Sequence, residues 1–206
     1  MTMRFFGKLH PAARHYADFP VPLRTIRPLD ADAAAAAYDA LSDPSNIARL
    51  GQKEAAYPSA VCYYRPPFLT DIFRAVGEHI RPLLDFDIVE TYYYARLYGL
   101  GDQLKIHTDR GSCFVSVSLC FGYEYSDMFP AGSAWPIGAL EDHTTATPRE
   151  TLFRMQPGDG MLYPGCSIPH WRDVFLGSRC GQAFFHWVPA DPARFAEFYG
   201  DPNMRG

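Results

Sequence analysis

The sequence has no Cys-x-x-Cys pair, no run of about eighteen apolar residues and no strong excess of either charge. The first absence argues against a zinc knuckle. The five cysteines (Cys62, Cys113, Cys120, Cys166 and Cys180) are odd in number, so they make no complete disulfide framework. The second leaves no candidate membrane-crossing helix. The third, 19 Lys and Arg against 23 Asp and Glu, gives no electrostatic case for binding nucleic acid or an anionic membrane. No apolar leader opens the chain, whose first twenty residues carry Arg4, Lys8, His10, Arg14, His15 and Asp18. The expectation is a cytoplasmic protein with reduced thiols. Apolar residues are plentiful: 48% are hydrophobic and 20% charged, enough to pack a core over one domain.

Residues 1–29, rich in Pro and Arg, show no clean period and read as an irregular arm. Asp30–Ser42 is Ala-rich, with Asp30 or Asp32 placed to cap a helix. A Pro- and Gly-punctuated stretch follows, ending at Pro66-Pro67. Ile72, Phe73, Val76, Ile80 and Leu83 then recur at helical spacing, and Pro82 predicts an early end or a kink. From Ile88 the pattern turns strand-like: Ile88–Tyr98, Phe114–Tyr123, Ala134–Leu140, Glu150–Met155, Met161–Tyr163 and Arg179–Val188. Helices followed by antiparallel strands predict helices packed outside a β-sandwich or barrel.

Two segments carry chemistry. In the first, a strand ending near Tyr98 turns through Gly99 and Gly101 and re-extends to His107-Thr108-Asp109. Residues i and i+2 of an extended chain face the same side, so an imidazole and a carboxylate point together. That is two-thirds of the facial triad that leaves open positions on iron(II); alone, the triplet also fits a solvated turn. In the second, a Gly158-Asp159-Gly160 turn feeds a short apolar strand to Tyr163, and a Pro164-Gly165 loop delivers His170 as a third ligand. Nine residues on, after a Gly177-Ser178 turn, Arg179 heads the final strand and is expected close to the site. Its planar fork binds a carboxylate bidentately and does not deprotonate.

From Tyr92 to Trp187 these segments resemble the prolyl-4-hydroxylase-like branch of the iron(II)/2-oxoglutarate-dependent oxygenases. The shared features are Tyr98-x-x-Gly101 before His107-x-Asp109, Gly158-Asp159 before the distal His170, and the basic Arg179. The resemblance implies a mainly β fold, a double-stranded β-helix (jelly roll) buttressed by N-terminal helices. One oxygenase domain would span 1–206: arm and buttressing helices over 1–87, jelly-roll core over 88–190, C-terminal tail over 191–206. It implies Fe(II) on His107, Asp109 and His170, with 2-oxoglutarate as co-substrate gripped by Arg179. It also implies molecular oxygen, release of succinate and CO2, and hydroxylation of an amino acid, peptide or small metabolite. The retained Asp109 argues against halogenation. Tyr98 stands where this branch has a Tyr near the co-substrate, though it can equally be a strand-end packing residue. A second holder of the distal carboxylate, often Tyr or Thr in the family, would be Ser118 among Ser116, Ser118 and Cys120. Gly181 replaces the family's frequent Ser or Thr.

Strand alternation puts Tyr92, Tyr94, Arg96 and Tyr98 on one face, making Arg96 and Tyr94 candidate substrate contacts; a buried Arg there needs an anionic partner. On the last strand Arg179, Gly181, Ala183, Phe185 and Trp187 share a face, with small residues leaving space beside the arginine. His186 falls on the other face and is set aside as a ligand. His143 lies in a Thr-rich loop, and His10, His15 and His79 come too early in the chain. Loops 124–133 and 141–149 would rim the pocket mouth, with Trp135 and Trp171 lining it or packing in the core. Two rivals share these ligands: an oxidase that does not use 2-oxoglutarate, and a non-enzymatic metal-binding jelly roll.

Overall fold

Asp30 starts the first helix: its carboxylate accepts the Ala33 N–H at 2.8 Å, and α1 (Ala31–Ser42) follows. A computed structural model describes residues 5–200; residues 1–4 of the expected arm and 201–206 of the expected tail lie outside them. β1 (Arg24–Ile26) precedes α1, and α2 (Pro44–Leu50), β2 (Gln52–Glu54), β3 (Tyr57–Tyr64) and α3 (Thr70–Ile80) follow it. The strands β4 (Ile88–Gly99), β5 (Leu104–His107), β6 (Val115–Glu124), β7 (Ile137–Glu141) and β8 (Arg149–Phe153) come next. The chain continues through β9 (Gly160–Tyr163), β10 (His170–Arg172), β11 (Arg179–Pro189) and the short α4 (Pro192–Phe195).

The strands form two antiparallel sheets: a seven-stranded sheet in the order β1-β9-β6-β11-β4-β3-β2 and a four-stranded sheet, β5-β10-β7-β8. This is the expected mainly β jelly roll with flanking helices. The stretch before Ile88 contributes more than an arm and helices. It supplies β1, which pairs with β9, and β3, which pairs with β4 in the register Val61↔Leu97 to Tyr64↔Tyr94. These strands escape sequence reading because β1 and β2 are only three residues long and Pro58 interrupts the β3 pattern. Among the described residues no helix is long and apolar enough to cross a membrane.

The helices cover the outer face of the larger sheet. α1 buries Ala34, Ala37 and Leu41, and α3 buries Phe73, Val76, Gly77 and Ile80, each set on one helical face. Phe73 stacks on Trp187 and Phe185 of β11, with ring centroids 4.9 and 5.5 Å apart. Pro82 converts the end of α3 into a 3-10 turn over Arg81–Leu83. Gly122 and Gly181, paired across β6 and β11, receive the Tyr38 ring of α1; a Cβ on either would lie 2.8 Å from it. The space beside Arg179 is therefore filled by a helix. Outer-facing Ala183, Phe185 and Trp187 join the helix-side core, whereas Cys180 and Phe184 join a separate cluster between the sheets with Tyr98, Trp135 and Phe175.

Candidate metal centre

β5 and β10 are neighbours in the smaller sheet, and His170 pairs directly with His107. Asp109 follows β5 and is held by its own N–H, which donates to Gly165 O at 2.9 Å. Its Oδ1 lies 3.4 Å from His107 Nε2 and 3.6 Å from His170 Nε2. The ligand atoms of the three residues lie within 4.8 Å of one another. Each imidazole has Nδ1 2.9 Å from a backbone carbonyl two residues upstream, Lys105 O for His107 and Ile168 O for His170. Donation from Nδ1–H fixes the tautomer and turns the Nε2 lone pair towards the shared point. Tyr163 OH donates to Asp109 Oδ2 at 3.4 Å.

Gly165 is required by this approach. A Cβ there would lie 2.5 Å from Asp109 Oδ2, from Ser116 Oγ and from Cys113 O. The electrostatics suit a cation. Burial opposes the ionised Asp109 carboxylate, but His170 and His107 beside it outweigh burial and bring its pKa down to about 2. Burial depresses His170 to about 4 against the pull of Asp109, so its ring is neutral at pH 7. Burial also acts to lower His107, but the hydrogen bond to Asp109 prevails and raises it. Two neutral-capable imidazoles and one carboxylate on one side of a point are the donor set of the two-His, one-carboxylate facial triad.

The inner face of β11 brings a further residue to the centre. His186, set aside from the sequence, lines the same cavity as His107, Asp109 and His170 and forms a second cluster with Asp109 and Cys113. Its Nδ1 is 2.9 Å from Ser116 Oγ. The cavity is also lined by Tyr94, Tyr98, Tyr163 and Phe184, and measures about 10 Å3, room for one water-sized centre. A cavity of about 240 Å3 shares Tyr94 with it and is lined by Glu54, Tyr92 and Arg96.

The remaining candidates separate. Tyr94, Arg96 and Tyr98 do face between the sheets. Arg96 has its anionic partner in Glu54, at 2.8 Å, and donates to Tyr98 OH at 2.9 Å. Ser118 is fully buried on the inner face of β6. Trp135 is core: its ring meets Tyr98 and Phe175 with centroids 4.9 Å away, and its Nε1 donates to Asp173 O. Trp171 turns to the opposite face of β10 from His170 and packs on Gly138. Arg179 is not brought to the centre: it is 47% exposed, on the helix-covered face of β11, 3.8 Å from Glu124. The expectation had the right face grouping and the wrong face inward.

A second inward arginine, besides Arg96, is Arg172, two residues after His170 and 1% exposed. It spans the interior from the smaller sheet to the larger. Nη1 donates to Trp135 O at 2.7 Å, and Nη2 donates to Ser118 Oγ at 3.2 Å and Gln182 Oε1 at 3.1 Å. The available signal was the same two-residue alternation that links His107 to Asp109.

Comparison with known proteins gives the same architecture. No known family model and no curated protein matches the chain. Solved structures do. An oxidoreductase of the 2OG-Fe(II) oxygenase family from Burkholderia pseudomallei is 13% identical, with a TM-score of 0.57 over 91% of this chain and 93% of that one. HygX from Streptomyces hygroscopicus, with nickel, 2-oxoglutarate and hygromycin B bound, is 12% identical, with a TM-score of 0.60 over 88% of each chain. A Pseudomonas putida prolyl-4-hydroxylase is 14% identical, with a TM-score of 0.53 over 85% of this chain and 96% of that one. The chain thus has the fold of the 2-oxoglutarate- and iron(II)-dependent oxygenases, prolyl-4-hydroxylases among them.

Proposed function

We propose that this protein is an iron(II)- and 2-oxoglutarate-dependent oxygenase that hydroxylates an amino acid, peptide or small metabolite. The observation that carries the reading is the convergence of His107 Nε2, Asp109 Oδ1 and His170 Nε2, with both imidazoles oriented through Nδ1. These three side chains would hold the metal. The bound metal and co-substrate would supply oxygen activation, with one atom of O2 entering succinate as CO2 leaves and the other entering the substrate C–H bond. The chain's own part is orientation. Tyr163 and the Gly165 carbonyl steady Asp109, and Tyr94, Tyr98 and Phe184 wall the side of the cavity facing the larger sheet.

The 10 Å3 gap is too small for an organic acid, so admission of 2-oxoglutarate requires lining side chains to shift. The 240 Å3 cavity beyond Tyr94 is the proposed substrate site; its Tyr94 and Arg96 walls support a small polar substrate. HygX, with hygromycin B bound, is a neighbour with a small-molecule ligand. The test is anaerobic addition of iron(II) and 2-oxoglutarate, watching for the visible metal-to-ligand charge-transfer band. The band should appear with the wild type and vanish with His107→Ala. Bound iron without a band would turn the reading to an oxidase or a metal-binding module.

A further inference from the structure

We infer that Arg172, on the strand that carries the distal histidine, is the anchor for the far carboxylate of 2-oxoglutarate; this deepens the proposed function and rests on it. The argument begins with an uncompensated charge. Arg172 is 1% exposed, yet its three hydrogen bonds all go to neutral acceptors: a carbonyl, a hydroxyl and an amide. No carboxylate pairs with it among the described residues, and its Nε, fully buried, has no hydrogen-bond partner there. The other buried arginine between the sheets, Arg96, does have a carboxylate, Glu54. Burying a guanidinium without an anion is costly, and the cost is relieved when a ligand brings the anion.

Position supports the same ligand. His170 and Arg172 are alternate residues of β10, so both face inward, about 7 Å apart along the strand. That is the reach of a five-carbon diacid held at its other end by the metal. The guanidinium sits against the Trp135 ring, 5.0 Å from its centroid, and Trp135 meets Tyr98, which lines the metal-side cavity. Ser118 and Gln182, from β6 and β11, hold the fork across the interior. Ser118 thus serves through the arginine. Arg179, exposed and beside Glu124, has no such geometry.

The experiment is calorimetric titration of nickel-loaded protein with 2-oxoglutarate and, separately, with 2-oxobutyrate, which keeps the metal-chelating end and lacks the far carboxylate. Arg172→Met should weaken 2-oxoglutarate at least about tenfold and leave 2-oxobutyrate unchanged. Gln182→Glu, an isosteric change that sets a carboxylate against Arg172 Nη2, should do the same without removing a core side chain; it decides the matter if Arg172→Met fails to fold. Arg179→Ala should alter neither ligand. Wild-type affinity for 2-oxoglutarate in Gln182→Glu and in folded Arg172→Met, or a loss confined to Arg179→Ala, would overturn the assignment and leave Arg172 a cross-link between sheets. If the nickel-loaded wild type binds no 2-oxoglutarate at all, the co-substrate reading falls and the assignment falls with it.

Discussion

His107 and His170 face each other across one rung of the β5–β10 ladder, with ring centroids 4.4 Å apart. Two candidate metal ligands from segments more than sixty residues apart are thereby set by backbone register and not by loop conformation. Substituting His170→Ala should cut metal affinity about 100-fold or more, since even residues behind a ligand are worth 10–100-fold. Metal at 100 times its dissociation constant should stabilise the wild type by about 2.7 kcal/mol, and a chelator should remove this. Thermal melts with and without nickel should show that shift in the wild type and no more than about 0.4 kcal/mol in His170→Ala.

Gly165→Ala should weaken metal binding about 10–100-fold while leaving all three ligands in place. The added methyl would meet Asp109 Oδ2 at 2.5 Å, and the Cys113 carbonyl and Ser116 Oγ, at the same distance, leave little room to retreat. Metal titration of the variant checks this. Wild-type affinity would mean that the Pro164-Gly165 loop can shift without moving the carboxylate.

Phe73→Ala should cost about 3–5 kcal/mol of stability. Phe73 is 3% exposed and stacks on two rings of β11. Because those rings lie on the outer face of the sheet, the metal affinity of the folded variant should stay at the wild-type value. Denaturant unfolding and metal titration separate the two effects.

Glu54→Gln leaves the Arg96 charge with a neutral partner in place of its carboxylate. Arg96 is almost fully buried, but Glu54 is 44% exposed, so water makes up part of the loss. The expected cost is about 1–2 kcal/mol, below that of breaking a fully buried pair. Arg179→Ala, by contrast, breaks a loose surface pair at 3.8 Å and should change stability by no more than about 0.5 kcal/mol. Equal costs for the two variants would contradict the difference in burial.

Much of the site was legible because it is local. His107 and Asp109 share a face by alternation. The Asp30 cap and the spacing of Phe73, Val76 and Ile80 mark two helices whose boundaries follow from hydrogen bonding and apolar periodicity. The short strands β1, β2 and β10 were not legible. Three residues carry too little pattern, and their extended form depends on partners far along the chain.

The sequence by itself determined the types and order of the candidate ligands and the division of β11 into two faces: Arg179, Gly181, Ala183, Phe185 and Trp187 on one, Cys180, Gln182, Phe184 and His186 on the other. Only the tertiary structure decided which face looks inward. Alternation is symmetric under exchange of the two sides of a sheet, and both faces of this strand are apolar enough to be buried. The choice is made by Tyr38 and Phe73, whose helices cover the Ala183, Phe185 and Trp187 face. That packing turns His186 towards the candidate metal centre and leaves Arg179 outside. Of the two arginines between the sheets, Arg96 is paired with Glu54, and the one without a carboxylate among the described residues is Arg172, carried by the facing sheet.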